Sequence, residues 1–236
     1  MPHPRIALIS ALAQSPGPAM AAMDEEWPQA RYHNLIDDSL AGDLAALGAI
    51  TPDIVVRFLA LGRYAAAASD GTARLAGVMF TCSAFRPAID RVKADLPIPV
   101  ISPNEGAFEE ALDICAARAG GGAGRLAILL SFAGSLAPLT DEIAAIAAQR
   151  GQPVPDIAGV VADGALSALQ AGDGAAHDRL IAEAAATIPP VDAVIIGQFS
   201  MARAAPLVAR SRAEPVLTTP HAAVRKLRRL VERQAA

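Results

Sequence analysis

Six short apolar runs divide the chain: Arg5 to Ser10, Gly77 to Thr81, Pro99 to Ser102, Arg125 to Ser131, Ala193 to Gly197 and Pro215 to Thr218. None alternates apolar with polar residues at a period of two, so each predicts a strand covered on both faces, as in parallel sheets. Between them apolar positions recur at a helical period over Pro52 to Ala68, Asn104 to Ala119, Ala137 to Gln149, His177 to Thr187 and Ala222 to Gln234. Strands alternating with helices predict an α/β fold.

The pattern repeats. Moving Val78 onto Val194 also lays Pro99 on Pro215 and Val100 on Val216, and it sets Cys82 against Gln198. The first strands, RIALISALAQS and RLAILLSFAGS, align at a slightly larger shift. The expected architecture is therefore two pseudo-symmetric domains, each a mostly parallel sheet flanked by helices. Residues 1–102 with about 217–236 form the first, because the last strand and helix are expected to pack back on it, and about 103–216 form the second. The sequence GGGAG at 120–124 reads as a crossing segment between halves.

Composition narrows the class. With 236 residues, 53% of them hydrophobic, and a net charge of −4, the chain can bury one large core or two smaller ones. The slight acidity gives no case for nucleic acid. Two cysteines exclude a disulfide framework and fit a reducing, cytoplasmic setting. RIALISALAQS imitates a weak secretory signal, but its recurrence in mid-chain reads it as a core strand. No apolar run approaches the roughly 20 residues that span a bilayer, so no membrane partner is expected. No Walker, dinucleotide-fingerprint or metal-ligand spacing occurs, so neither a cofactor nor a metal is expected.

Chemistry concentrates at Cys82, in GVMFTCSAFRPAID, where an apolar run gives way to a helix. Ligands of open α/β sheets bind at the carboxyl ends of strands, and the amides opening a helix both stabilise a thiolate and receive a carboxylate. The alternative for Cys82 is a small buried hydrophobe. Cys115 shares an apolar helical face with Phe108 and Leu112 and reads as core. His33 and His177 read as loop or helix-surface residues, and His3 as part of a loose terminus. Asp37 and Asp38 read as a helix entry. Arg225, Lys226, Arg228, Arg229 and Arg233 read as the solvated face of the final helix. Arg86 and Arg203, within a turn of each half's candidate site, are either partners for a second substrate carboxylate or surface ion pairs.

MFTCSAF, PIPVISPNEGAFEEAL and VDAVIIGQFSMARAAP, with EEWPQARYHNLIDDSL and ITPDIVVRF, resemble the aspartate/glutamate racemase superfamily over nearly the whole chain. The resemblance implies a cofactor-independent enzyme with its active site in the cleft between two domains, where one cysteine from each half faces the acidic carbon of the substrate. Cys82 matches the first-half cysteine, and Thr81 and Ser83 match its carboxylate-binding neighbours. Ser10, Gln14 and Ser15 follow the first strand, where substrate contacts are expected, and Ser131 has that place in the second half. Gly197, Phe199 and Ser200 flank the second-half position, but Gln198 stands where the second thiol would be. An amide does not exchange protons near neutral pH. Realigning the last strand by one residue pairs Asn104 with His221, which makes His221 a candidate second acid.

The resulting expectation is an isomerase or racemase-type enzyme acting at the alpha carbon of a small carboxylate, with Cys82 as acid/base or nucleophile. A lyase similar to arylmalonate decarboxylase, protonating one face only, is the alternative within the enzyme class. Maleate isomerase and hydantoin racemase are related chemistries. A non-catalytic small-carboxylate-binding protein is the alternative outside it. A homodimer is compatible with either.

Overall fold

The computed structural model describes residues 3–235 apart from 70, 72 and 121, so Gly121 of the expected crossing segment lies outside the described residues. The chain divides into two compact units, Met1–Gly106 with Pro220–Ala236, and Ala107–Thr219. In chain order the elements are β1 (Arg5–Ser10), α1 (Pro16–Glu26), β2 (Arg31–Ile36), α2 (Ser39–Leu47), α3 (Pro52–Ala67), β3 (Leu75–Phe80), α4 (Arg86–Asp95), β4 (Val100–Ile101) and α5 (Glu105–Arg118). They continue as β5 (Arg125–Leu130), α6 (Leu136–Gln149), β6 (Asp156–Val161), α7 (Ala165–Gln170), α8 (Gly174–Ala186), β7 (Ala193–Ile196), α9 (Ala205–Ser211), β8 (Val216–Thr218) and α10 (Thr219–Ala235). Each unit holds one four-stranded parallel sheet, ordered β2-β1-β3-β4 and β6-β5-β7-β8.

The strand registers reproduce the sequence repeat. Ile9 pairs with Phe80 as Leu129 pairs with Ile196, and Val78 pairs with Val100 as Val194 pairs with Val216. The central strands β1, β3, β5 and β7 are almost wholly buried, which is why they read as continuous apolar runs. The edge strands β2 and β6 are only partly covered, and sequence periodicity does not predict them. His33 therefore belongs to a strand rather than to a loop or helix surface. His177 also departs from expectation: it is fully buried on α8, with Nδ1 at 2.8 Å from the Ala165 carbonyl.

In the first unit α3 lays Phe58 against Phe80 and Phe85, with ring centroids 5.3 and 4.9 Å away. These rings lie in a core with Ile9, Val78, Ile89 and Val92, and Cys82 packs against it. The second unit repeats the device with aliphatic residues, Leu129, Ile181, Val194, Ile196 and Val208. Arg212 closes the carboxyl end of α8 by donating to the Ile188 carbonyl at 2.7 Å while its fork grips Glu214 at 2.7 and 3.1 Å.

The final helix, α10, is bound into the first unit by close approach and by charge. A Cβ on Gly77 would meet Leu227 at 2.9 Å and one on Gly106 would meet the Ala222 carbonyl oxygen at 2.4 Å, so both glycines make room for it. The expected solvated face is instead largely engaged. Arg225 pairs with Glu26, Arg228 donates to the Glu26 carbonyl, and Lys226 reaches Glu105 at 3.3 Å.

Glu105 is 5% exposed and also receives Lys93 and the Ser102 hydroxyl, the latter at 2.6 Å. Burial pushes its carboxyl up, but the charges of Lys93 and Lys226, with hydrogen bonds from Lys93 and Ser102, outweigh burial and hold it below the usual carboxylate range. A depressed folded-state pKa contributes stability that is present above the unfolded value and lost as pH falls through the folded one. Glu105→Gln strands two lysines around a neutral group, and is expected to cost about 3 to 5 kcal/mol in urea unfolding at pH 7. The deficit should shrink as pH falls below roughly 4. An unchanged midpoint at pH 7 would contradict this role.

Candidate active site

In a parallel sheet all carboxyl ends fall on one edge, so the segments that follow neighbouring strands meet there. In the first unit Ser10 ends β1, and Thr81 follows β3 beside it. The Thr81 amide donates to the Ile9 carbonyl at 3.1 Å and the Thr81 hydroxyl donates to the Ser10 hydroxyl at 2.9 Å. Both side chains are buried. Cys82 comes next in extended conformation and opens a 3-10 turn, Ser83–Phe85, that leads into α4. Phe85, fully buried, pulls that turn down onto the core and leaves Cys82 half-exposed at the edge with Ser83 exposed beside it.

The electrostatics of Cys82 differ from the expectation of a lowered thiol. Burial pushes the thiol up, the Ala84 amide draws it back only in part, and the balance lies above the ordinary value. A three-residue turn offers little dipole, and the aromatic core beneath removes water. This environment favours the thiol over the thiolate. Cys115 is buried and pushed up to about 11, first by burial and then by the Asp192 charge, in keeping with a core role.

The second unit presents the corresponding edge. Ser131 lies one residue beyond β5, where the register counterpart in the first unit is Ala11 rather than Ser10. Gly197 follows β7, and a Cβ there would meet Leu130 at 2.9 Å. Gln198 opens a 3-10 turn, Phe199–Ala204, as Cys82 opens its own. Its carboxamide oxygen accepts from the Ser131 amide at 2.8 Å and from the Ser131 hydroxyl at 2.7 Å. A backbone N–H can only donate, so this contact fixes which end of the carboxamide is oxygen. Gln198 is thus locked with its NH2 as the presented end. Phe199 is buried and Ser200 half-buried.

Other sequence candidates are placed as follows. Gln14 is exposed and Ser15 half-buried ahead of α1, with the Ser15 amide donating to the Leu12 carbonyl at 3.2 Å. Asn104 is 2% exposed, next to Glu105. His221 lies on α10 within the first unit, with its Nε2 3.0 Å from Glu25 of α1. Arg86 holds Asp90, with both carboxylate oxygens at 3.1 Å, and Arg203 donates to Asp178 at 2.9 Å, so both take the ion-pair alternative. The lysine-caged Glu105 carries no catalytic motif and is found only through its burial. Among the described residues no group of three or more His, Cys, Asp or Glu is arranged to hold a metal ion, and no helix is long and apolar enough to cross a membrane.

The thiol has a direct test. Iodoacetamide should modify Cys82 slowly at pH 7 and faster as pH rises through the raised thiol pKa, while Cys115 stays unmodified until the protein unfolds, both read by mass spectrometry. Fast alkylation of Cys82 with a plateau reached below pH 7 would contradict the neutral resting thiol.

No protein-family model matches the chain, and no curated protein sequence does. Solved structures do. Glutamate racemase isoform RacE1 from Bacillus anthracis superposes with a TM-score of 0.66 at 10% identity, over 99% of this chain and 84% of that one. Allantoin racemase from Klebsiella pneumoniae gives 0.64 at 19% identity, over 98% and 89%. A glycine-to-cysteine variant of arylmalonate decarboxylase, in a sulfate-associated form, gives 0.56 at 17% identity, over 97% and 94%. The chain shares the two-sheet α/β fold of these solved racemases and of the decarboxylase.

Proposed function

We propose that this protein is a racemase-type enzyme that moves a proton at the alpha carbon of a small carboxylate on one face only, with Cys82 as the transferring thiol. One observation carries the reading. At the position equivalent to Cys82, Gln198 is held by Ser131 so that only its NH2 is presented, and that group donates a hydrogen bond but does not exchange a proton. The fold shared with racemases and a decarboxylase supports the enzyme class. The chemistry asks for no cofactor.

The proposed division of labour is as follows. The substrate carboxylate receives hydrogen bonds from neutral donors: the Ser10 and Thr81 hydroxyl pair, Ser83, and the amides beside Cys82. As the alpha carbon becomes carbanionic, charge moves onto the carboxylate oxygens, and donors already aimed at them stabilise it more than the ground state.

A neutral thiol favours the direction in which Cys82 gives first. In decarboxylation the bond from the alpha carbon to a departing carboxylate breaks and its electron pair stays on the carbon. The Cys82 S–H proton moves to that carbon, and the thiolate regains a proton from solvent. Without a second acid the product carries one configuration.

The test is hydrogen exchange and product formation in deuterium oxide, followed by NMR, across small monocarboxylates and substituted malonates. The expected result is deuterium at the alpha position of one enantiomer, reduced about 1,000-fold in Cys82→Ala. Equal rates in wild type and Cys82→Ala would overturn the assignment, and saturable binding without any turnover would favour the non-catalytic binding protein.

A further inference from the structure

The amino end of the first sheet, opposite to the edge that carries Cys82, gathers positive charge. Arg5 opens β1 and Arg31 opens β2, and the register sets the two side by side. Side chains alternate between faces along a strand. Ala7 and Leu35 belong to the core beneath α3, so Arg5, Arg31 and His33, at the same parity, share that face. Tyr32 turns the other way, its hydroxyl donating to Asp24 of α1 at 2.8 Å. Arg5, Arg31, Tyr32 and His33 line a pocket of about 180 Å³. Arg74, just before the Leu75 that pairs with Arg5, is a further exposed cation at this end.

Cations placed directly opposite one another repel. Among the described residues no carboxylate pairs with Arg31, which is exposed. The acids of α1 are engaged elsewhere, Asp24 by Tyr32, Glu25 by His221 and Glu26 by Arg225. Arg5 keeps further interactions of its own, yet its charge reaches His33, whose imidazole is held below its usual range first by burial and then by Arg5.

From this arrangement we infer a second binding site, on the first unit, for a small phosphoryl dianion: inorganic phosphate or the terminal group of a phosphomonoester. Arg31 donates through its planar fork, the neutral His33 ring adds one N–H, and the field of Arg5 supplies further attraction. Pockets that bury a drug-sized ligand run to roughly 300–1,000 Å³. This smaller one fits a single anionic group and does not enclose a nucleotide. Arg5 and Ser10 stand at opposite ends of β1, about 16 Å apart at roughly 3.3 Å per residue, so the ion does not occupy the Cys82 edge.

Titration with phosphate at constant ionic strength, read by NMR from the His33 ring signals identified through their loss in His33→Gln, tests this. The expected result is a saturable shift, with the His33 midpoint moved up because a bound dianion offsets the Arg5 charge. Chloride should produce neither. Arg31→Gln, at an exposed position, should weaken phosphate by about tenfold or more while Cys82 reacts with iodoacetamide at its wild-type rate. Tighter binding of glycerol 3-phosphate than of phosphate would assign the ester, and equal or weaker binding the free ion. An equal response to chloride, or phosphate binding undiminished in Arg31→Gln, would overturn the site. Protection of Cys82 by phosphate in both proteins would place the ion at the carboxyl edge instead, and would also overturn it.

Discussion

Parallel pairing is the constraint on which the rest depends. β1 and β3 run side by side in the same direction, as do β5 and β7, so each pair delivers the segments after its strands to a common edge. Residues 71 positions apart in sequence, Ser10 and Thr81, consequently share a hydrogen bond, and Ser131 meets Gln198 across 67 positions in the second unit. The cores exist to hold those edges. Phe58, Phe80 and Phe85 belong to the core against which Cys82 packs, and burial pushes the thiol up. The packing that seats the sulfur therefore also shifts it toward the thiol.

The two edges are alike in backbone and different in chemistry. Cys82 and Gln198 both occupy extended residues that open a 3-10 turn, with φ and ψ of −123° and 114° in one and −135° and 141° in the other. One presents a thiol, and the other a carboxamide whose oxygen is already used. Duplication with divergence of this kind supports transfer on a single face, because a backbone built twice over carries an exchangeable proton only once.

Much of this was legible in the sequence where burial leaves a signature. The central strands read as unbroken apolar runs, and the repeat that aligns Val78 with Val194 reappears as strand register. The edge strands β2 and β6 did not show, because RYHNLI and DIAGVV are half-covered and carry neither a continuous nor an alternating apolar pattern. His177 looked superficial because its neighbours are polar and small, yet α8 turns it inward onto the Ala165 carbonyl. Position alone could find Cys82 and Gln198, but not the direction of the thiol's shift, which depends on the three phenylalanines and on a turn too short to oppose them. The cage around Glu105 brings together residues of three helices, and no local motif announces it.

The central claim is that the chain carries one proton-transferring thiol where a two-sided reaction needs two. The most direct measurement is solvent-proton incorporation in deuterium oxide on separated enantiomers of small carboxylates, in the wild type and in Cys82→Ala. The account predicts label at the alpha carbon of one enantiomer only, lost in Cys82→Ala. Label entering both enantiomers at equal rates, or persisting unchanged in Cys82→Ala, would contradict it.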